Sequence, residues 1–215
     1  ISGAPGDNPV LLGWMGNWDY AQNVPTTPWR GSMAIPRELT LVRGAKRLEL
    51  RSAIAGAARE TLDRSGEVKS KNLTVGSSPQ DLGQEFRGRT QLIELDMDLK
   101  SAREAGVLLR HSSSASETGL RISYNKETGS VRVDRSQAGT SNFSGKFSPF
   151  HEVALPSPGS KVHLTILLDS SSVEVFAAGG TAVISDTFFP DWDNTGSSAF
   201  SMEGDTDFTV TTRGL

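Results

Sequence analysis

The chain has 215 residues, a net charge of −3, no cysteine and three histidines. Disulfides and thiolate metal sites are excluded, and His111, His151 and His163 lie too far apart in sequence for a metal-ligand motif. Basic residues are spread rather than gathered into the stripe that nucleic acid requires, and no apolar run approaches the ~18 residues that span a bilayer.

Ile1 opens directly into a Gly- and Pro-containing stretch without a signal-peptide pattern, which reads as a processed or cut end. The first forty residues hold Trp14, Trp18 and Trp29, three of the four tryptophans, together with Pro9, Pro25, Pro28 and Pro36. Residues 11–15 predict a strand, 16–30 a long aromatic loop and 33–42 a second strand. A loop of about fifteen residues inside a compact domain is uncommon and often functional, so this region either lines a site or belongs to a separate domain. Residues 54–63 and 101–105 are the best helical candidates, and Ala55-Gly56-Ala57 argues against a long helix in the first.

From Gln91 onward the dominant period is two. Ile93, Leu95, Met97 and Leu99 share one face. Leu120, Ile122 and Tyr124 run into the turn at 126–129 and on to Val131 and Val133, which predicts a hairpin. Val162, Leu164, Ile166 and Leu168 alternate with His163, Thr165 and Leu167. Val173, Val175 and Phe176 lead through Gly179-Gly180 to Val183 and Ile184, a second hairpin. Phe200–Met202 and Phe208–Val210 are expected to form a last pair. Many short strands, with turn signals roughly every ten residues, predict an all-β, two-sheet antiparallel β-sandwich of the lectin/glucanase kind.

Residues 11–41, LLGWMGNWDYAQNVPTTPWRGSMAIPRELTL, resemble a stretch of glycoside hydrolase family 32, which contains levanases, exo-inulinases and invertases. The elements GWM-x-NW-x-YA, PT-x-PWRG-x-M and PREL stand in that family's order and spacing. VDRSQAG at 133–139, followed by Phe143, Phe147 and Phe150, resembles a later segment of the family. LTILLDSSSVEVFAAGGTAVISDTFFP at 164–190 resembles another. Residues 42–130 carry little signature beyond strand patterning.

In that family a five-bladed propeller carries the active site and a β-sandwich follows it. The resemblance therefore implies that residues 1–42 are the end of the propeller and its connection, and that 43–215 are the sandwich. It implies hydrolysis of β-fructofuranosyl bonds in levan, inulin or sucrose, with retention, by an aspartate nucleophile and a glutamate acid/base. A further aspartate, in an Arg-Asp-Pro motif, would hold fructose hydroxyls. The motifs Asn-Asp-Pro-Asn-Gly, Arg-Asp-Pro and Glu-Cys do not occur in this sequence. No catalytic residue is expected in this chain, which alone should be inactive. The resemblance further implies no cofactor, a fructan or sucrose substrate, an upstream propeller as partner, a possible homodimer, and secretion from a bacterial cell.

The substrate-binding candidates are Trp18, Asn17 and Trp14. A tryptophan stacks on the C–H face of a sugar ring, and an adjacent asparagine both donates to and accepts from hydroxyls. The resemblance implies that this loop gives the fructose pocket an aromatic wall. The alternative is that the tryptophans pack a seam between domains, and Trp14, inside a strand, suits the core. Arg37 and Glu38 could pair with each other or touch substrate, but suit an inter-domain joint better. Asp169 and Glu174, around three serines, are placed at a turn. Ser112–Ser116 reads as a surface loop. Trp192 either stacks on sugar or caps the core.

Two rival functions stand beside this one. A carbohydrate-binding, lectin-like module would need exposed aromatics on a concave face, and aromatics make up only 7% of the chain. A glucanase-like sandwich enzyme would use Glu94, Asp96 and Asp98, which alternate onto one face of a strand. The final glutamate of that arrangement is absent, and a solvated strand face explains the same pattern.

Overall fold

Strands pair as their alternation requires wherever the alternation is strong. A computed structural model describes residues 8–44, 47–112 and 118–215. Most of the serine run at 112–116 lies outside the described residues; Ser112 itself is exposed. The opening segment contains β1 (Val10–Leu11), β2 (Trp14–Met15), β3 (Ser32–Met33), β4 (Arg37–Arg43) and β5 (Leu48–Ile54), followed by helix α1 (Gly56–Arg64). The single strands expected over 11–15 and over 33–42 are each divided. Pro36 has no N–H to continue a ladder, so the chain changes partner there: β3 pairs with β2, whereas β4 pairs with β1 and β5.

The sandwich strands are β6 (Val68–Val75), β7 (Gln80–Asp81), β8 (Gln91–Asp98), β9 (Glu104–His111), β10 (Leu120–Asn125), β11 (Ser130–Asp134) and β12 (Phe150–Ala154). They continue with β13 (Lys161–Leu168), β14 (Ser172–Ala177), β15 (Ala182–Thr187), β16 (Gly196–Met202) and β17 (Thr206–Gly214). One six-stranded sheet runs β12-β11-β10-β9-β16-β7 and the other β15-β14-β13-β8-β17-β6, and all the pairings are antiparallel. The inward faces meet in a single core. Leu95, Leu164 and Ile166 come from one sheet, and Leu120, Ile122 and Val131 from the other. Each fully buried side chain of this size contributes about 1.5–3 kcal/mol. Tyr124 is buried as well, and its hydroxyl donates to the Gly159 carbonyl at 2.8 Å, which satisfies its polar end.

Two expectations are corrected. Phe200–Met202 and Phe208–Val210 do not pair with each other. β16 joins the first sheet beside β9, and β17 joins the second beside β8. The turn between them holds Glu203 at φ 58° and Gly204 at φ 143°, and this left-handed backbone carries the chain across the core instead of folding it back in one sheet. Residues 101–105 form no helix. The Arg103 N–H donates to the Met202 carbonyl at 3.0 Å, so β pairing takes the hydrogen bond a helix would have used. The other helix does form, over Gly56–Arg64. The Glu38 carboxylate accepts the Gly56 N–H at 2.9 Å, satisfying one of the helix's orphan donors.

Every residue of β14 is buried. One face, with Val173 and Val175, looks into the sandwich core. The other carries Glu174 and Phe176 and lies beneath the opening segment. This is the surface on which the candidate site is built.

Candidate functional site

The loop after β2 is pinned at both ends. Tyr20 is buried with its ring edge-on to Phe143 and Phe147, at centroid distances of 5.9 and 5.4 Å, so the middle of the loop is anchored on the sandwich. The Trp14 indole sits between Gly16 and Gly31, and a Cβ at either position would collide with it. The glycines of GWMG and WRG therefore fix where this ring lies. Trp14 is 40% exposed, which corrects its assignment to the core. Trp18 is 85% exposed, and its ring lies 5.3 Å from that of Trp14, tilted by 52°. Asn17, between them, accepts the Asp19 N–H at its Oδ1, at 2.9 Å. The three residues expected from the sequence are thus together and exposed, Trp14 in β2 and Asn17 and Trp18 on the loop that follows it.

Arg37 of PREL and Glu174 of EVF, far apart in the chain, form a buried ion pair. Glu174 also accepts the Ile35 N–H at 2.6 Å and the Ser185 hydroxyl at 3.1 Å, and Arg37 donates to Ser185 as well. The Arg37 guanidinium lies 5.1 Å from the centroid of the Phe176 ring. Glu174 therefore belongs to the interior of a strand rather than a turn. Asp169 does sit at the turn, accepting the Ser170 N–H at 2.7 Å. Arg37 and Glu38 do not pair with each other; Arg37 holds β14 and Glu38 holds α1. Both serve the join between the opening segment and the sandwich.

Beside this pair, the edge strands of the two sheets approach one another. His151 of β12 and Asp186 of β15 are linked through Nδ1 and Oδ1 at 2.6 Å. Arg135, of the DRS segment, is buried. It donates to the Ser148 carbonyl at 2.9 Å and the Thr187 carbonyl at 2.7 Å, approaches Asp186 at 3.3 Å, and stacks 3.8 Å from the Phe147 centroid. A cavity of about 320 Å³ separates these groups from the loop, lined by Trp14, Asn17 and Tyr20 on one side and Arg135, His151 and Asp186 on the other. Pattern reading had no signal for His151 or Asp186 here. Their meeting depends on which strands form the sheet edges.

The alternating carboxylates of β8 share an outer face and are all partnered. Glu94 accepts from Arg59 of α1 at 2.7 Å and from Thr165 at 2.6 Å, and lies 3.2 Å from the His163 Nε2. Asp96 meets the His163 Nδ1 at 2.8 Å, and Asp98 meets Lys100 at 2.8 Å. Burial opposes the charge of Glu94, but hydrogen bonds from His163 and Thr165 and the charge of Arg59 hold it below the ordinary carboxylate range. Asp98 is lowered chiefly by Lys100. The Glu94 hydrogen bond and the Asp96 contact raise His163 to about 9. Glu94 and Asp98 are both lowered, so neither is a raised carboxylic acid, and they stand about 13 Å apart along the strand. Glycoside hydrolysis needs a raised acid and a carboxyl separation of about 5–9.5 Å. Trp192 is 64% exposed under the Arg89 guanidinium, 4.2 Å away, so it does not cap the core. Among the described residues no cluster of three His, Asp or Glu side chains is arranged for a metal, and no helix is long and apolar enough to cross a membrane.

The chain matches the family described as glycosyl hydrolases family 32 C terminal over residues 58–213, and the glycosyl hydrolases family 32 N-terminal domain over residues 3–52. It is 33% identical over 209 residues to a levanase of Bacillus sp. (strain L7), covering 95% of this chain and 22% of that protein. It is 31% identical over 206 residues to an extracellular exo-inulinase of Aspergillus awamori, covering 92% of this chain and 37% of that one. The crystal structure of exo-inulinase from A. awamori superimposes with a TM-score of 0.85 at 27% identity, over 97% of this chain and 40% of that chain. The chain thus spans between 22% and 40% of the length of these proteins.

Proposed function

Because the chain belongs to glycoside hydrolase family 32 and carries the C-terminal domain of levanase- and inulinase-like enzymes, we propose that it is the non-catalytic part of a β-fructosidase. The whole protein hydrolyses β-fructofuranosyl bonds in levan, inulin or sucrose with retention, using carboxylates upstream of these residues. Residues 1–42 close the propeller, 43–215 form the sandwich, and the β4–β5 hairpin that straddles this boundary is the joint. Trp18, with Asn17 and Trp14 beside it, forms an aromatic wall against which a fructosyl unit stacks. The enzyme works outside the cell, as the name of its Aspergillus relative states for that protein.

The observation that carries this reading is the match of residues 58–213 to the C-terminal family domain, in a sequence without the three acidic motifs. The test is direct. The 215-residue chain, incubated with levan, inulin and sucrose, is expected to release no fructose. Fructose release that tracks the purified chain would end the non-catalytic assignment.

A further inference from the structure

The cavity between the opening loop and the sandwich carries groups that the joint does not use. His151 is half exposed, and its Nδ1 is held by Asp186 at 2.6 Å. A carboxyl at Nδ1 fixes the ring's orientation and leaves Nε2 facing outward. Nε2 has no hydrogen-bond partner among the described residues, and the ring lines the cavity. Across from it, Asn17 uses its Oδ1 for the Asp19 N–H, which leaves the amide hydrogens of Nδ2 as donors. The Trp14 indole, set by Gly16 and Gly31, forms an apolar wall of the same cavity.

Behind these groups, Asp186 Oδ2 and Arg135 Nη2 are buried without a hydrogen-bond partner among the described residues, on side chains that are each 2% exposed. Native structures leave few such groups, because an unpaired buried donor or acceptor keeps its full desolvation cost. These two atoms are closed off from the cavity and hold its floor; the groups that face its volume of about 320 Å³, large enough for a small ligand, are the His151 Nε2, the Asn17 amide and the Trp14 indole. The chemistry that satisfies an acceptor, a donor and an apolar face together is a sugar ring. Its hydroxyls both donate and accept, and its C–H face stacks on an aromatic.

We propose that His151, held by Asp186, joins Asn17 and Trp14 in a binding subsite for one fructosyl unit, so that the sandwich supplies part of the sugar-binding surface. This rests on the fructan reading above and adds a sandwich residue to the wall formed by the loop. His151 acts here as a binding residue and Asp186 as its positioning residue.

The experiment is a titration of the 215-residue chain with a short fructo-oligosaccharide, with maltotriose as control, followed by nuclear magnetic resonance of the backbone amides and the histidine rings. The His151 ring signals are expected to move and saturate while those of His111 and His163 stay in place. His151→Ala is expected to weaken binding about tenfold or more, with His151→Gln between it and the wild type. The ring signals of the unaltered chain keep the test decisive even if a variant fails to fold. Static His151 ring signals alongside shifts at Trp18 would overturn the role of His151 and leave the aromatic wall standing. Equal shifts with maltotriose would overturn the fructosyl class. No binding of either sugar would overturn the subsite, while the assignment of hydrolysis to upstream carboxylates would be untouched.

Discussion

Arg37 and Glu174 show how two motifs that look independent in the sequence are one structural unit. PREL and EVF both carry the family resemblance, and in the fold the arginine of one closes on the glutamate of the other. Neither side chain is more than 12% exposed, so removing one partner leaves the other as an uncompensated buried charge, worth about 3–5 kcal/mol. Arg37→Ala is expected to lower the unfolding free energy by about 3 kcal/mol in a urea titration. Glu174→Ala should cost at least as much, because the Ile35 N–H and Ser185 lose their acceptor too. A loss below about 1 kcal/mol in both variants would mean the pair is solvated and the joint is held elsewhere. The sequence placed Arg37 at a joint but could not name its partner, since nothing local links a residue in a strand after Pro36 to one at 174. Trp14, Asn17 and Trp18 were legible because they fall in one continuous stretch. His151 and Asp186 come from two edge strands and Arg135 from the chain just after β11, and they meet only when the sheets are assembled.

At the scale of elements, the alternating pattern gave the buried faces of β8, β10, β11 and β13 but not those of β15 and β16, where Val183 and Met202 lie outside the core, and it did not always give a strand's neighbour. β16 and β17 were recognisable as strands, yet a period of two is the same whichever sheet a strand joins. Their separation depends on the Glu203–Gly204 turn and on pairings with β9 and β8, which are distant in sequence. Helix α1 was legible in the segment 54–63, whereas its tether was not. Arg59 reaches Glu94, and Glu94 is hydrogen-bonded in turn to His163 and Thr165. His163 titrates near 9 in the fold against 6.5 for a free histidine. A group whose folded pKa is raised contributes stability that is fully present below its unfolded pKa and lost as pH rises through its folded one. The chain is therefore expected to lose stability between about pH 6.5 and pH 9. His163 is half exposed, so solvent screening limits the effect to about 1 kcal/mol, or about 2–4 °C in melting temperature. Melting curves at pH 6 and pH 9.5 should show this fall in the wild type and a flatter profile in His163→Asn. An unchanged slope in the variant would assign the pH dependence to other groups.

For the molecule as a whole, the decisive surface is one that the sandwich does not bury. The β4–β5 register places Leu41 opposite Leu50 and Arg43 opposite Leu48, so the three leucines share one face of the hairpin. They are 69%, 55% and 59% exposed, while the fully buried leucines of the sandwich are almost completely hidden. Contiguous exposed leucines are unusual on an isolated domain and mark a surface made to be covered. Most of the hairpin lies within the stretch that matches the N-terminal domain of the family, which ends at residue 52, and under the proposed function its cover is the upstream part of the same protein. Two consequences separate this from an ordinary surface. In the 215-residue chain, replacing Leu41, Leu48 and Leu50 together by threonine should change the melting temperature little, since exposed substitutions usually stay within about 0.5 kcal/mol each. It should also reduce self-association measured by sedimentation velocity. In the longer protein that includes the upstream domain, the same triple substitution removes buried contacts. It is expected to destabilise by several kcal/mol, at about 1.5–3 kcal/mol for each leucine taken from a fully covered site. The comparison must be made in both lengths, because either result alone has a second explanation. A triple variant that melts like the wild type in both would show that the face stays in water, and the proposed upstream domain would then have to dock through Arg37, Glu38 and the tryptophan loop alone.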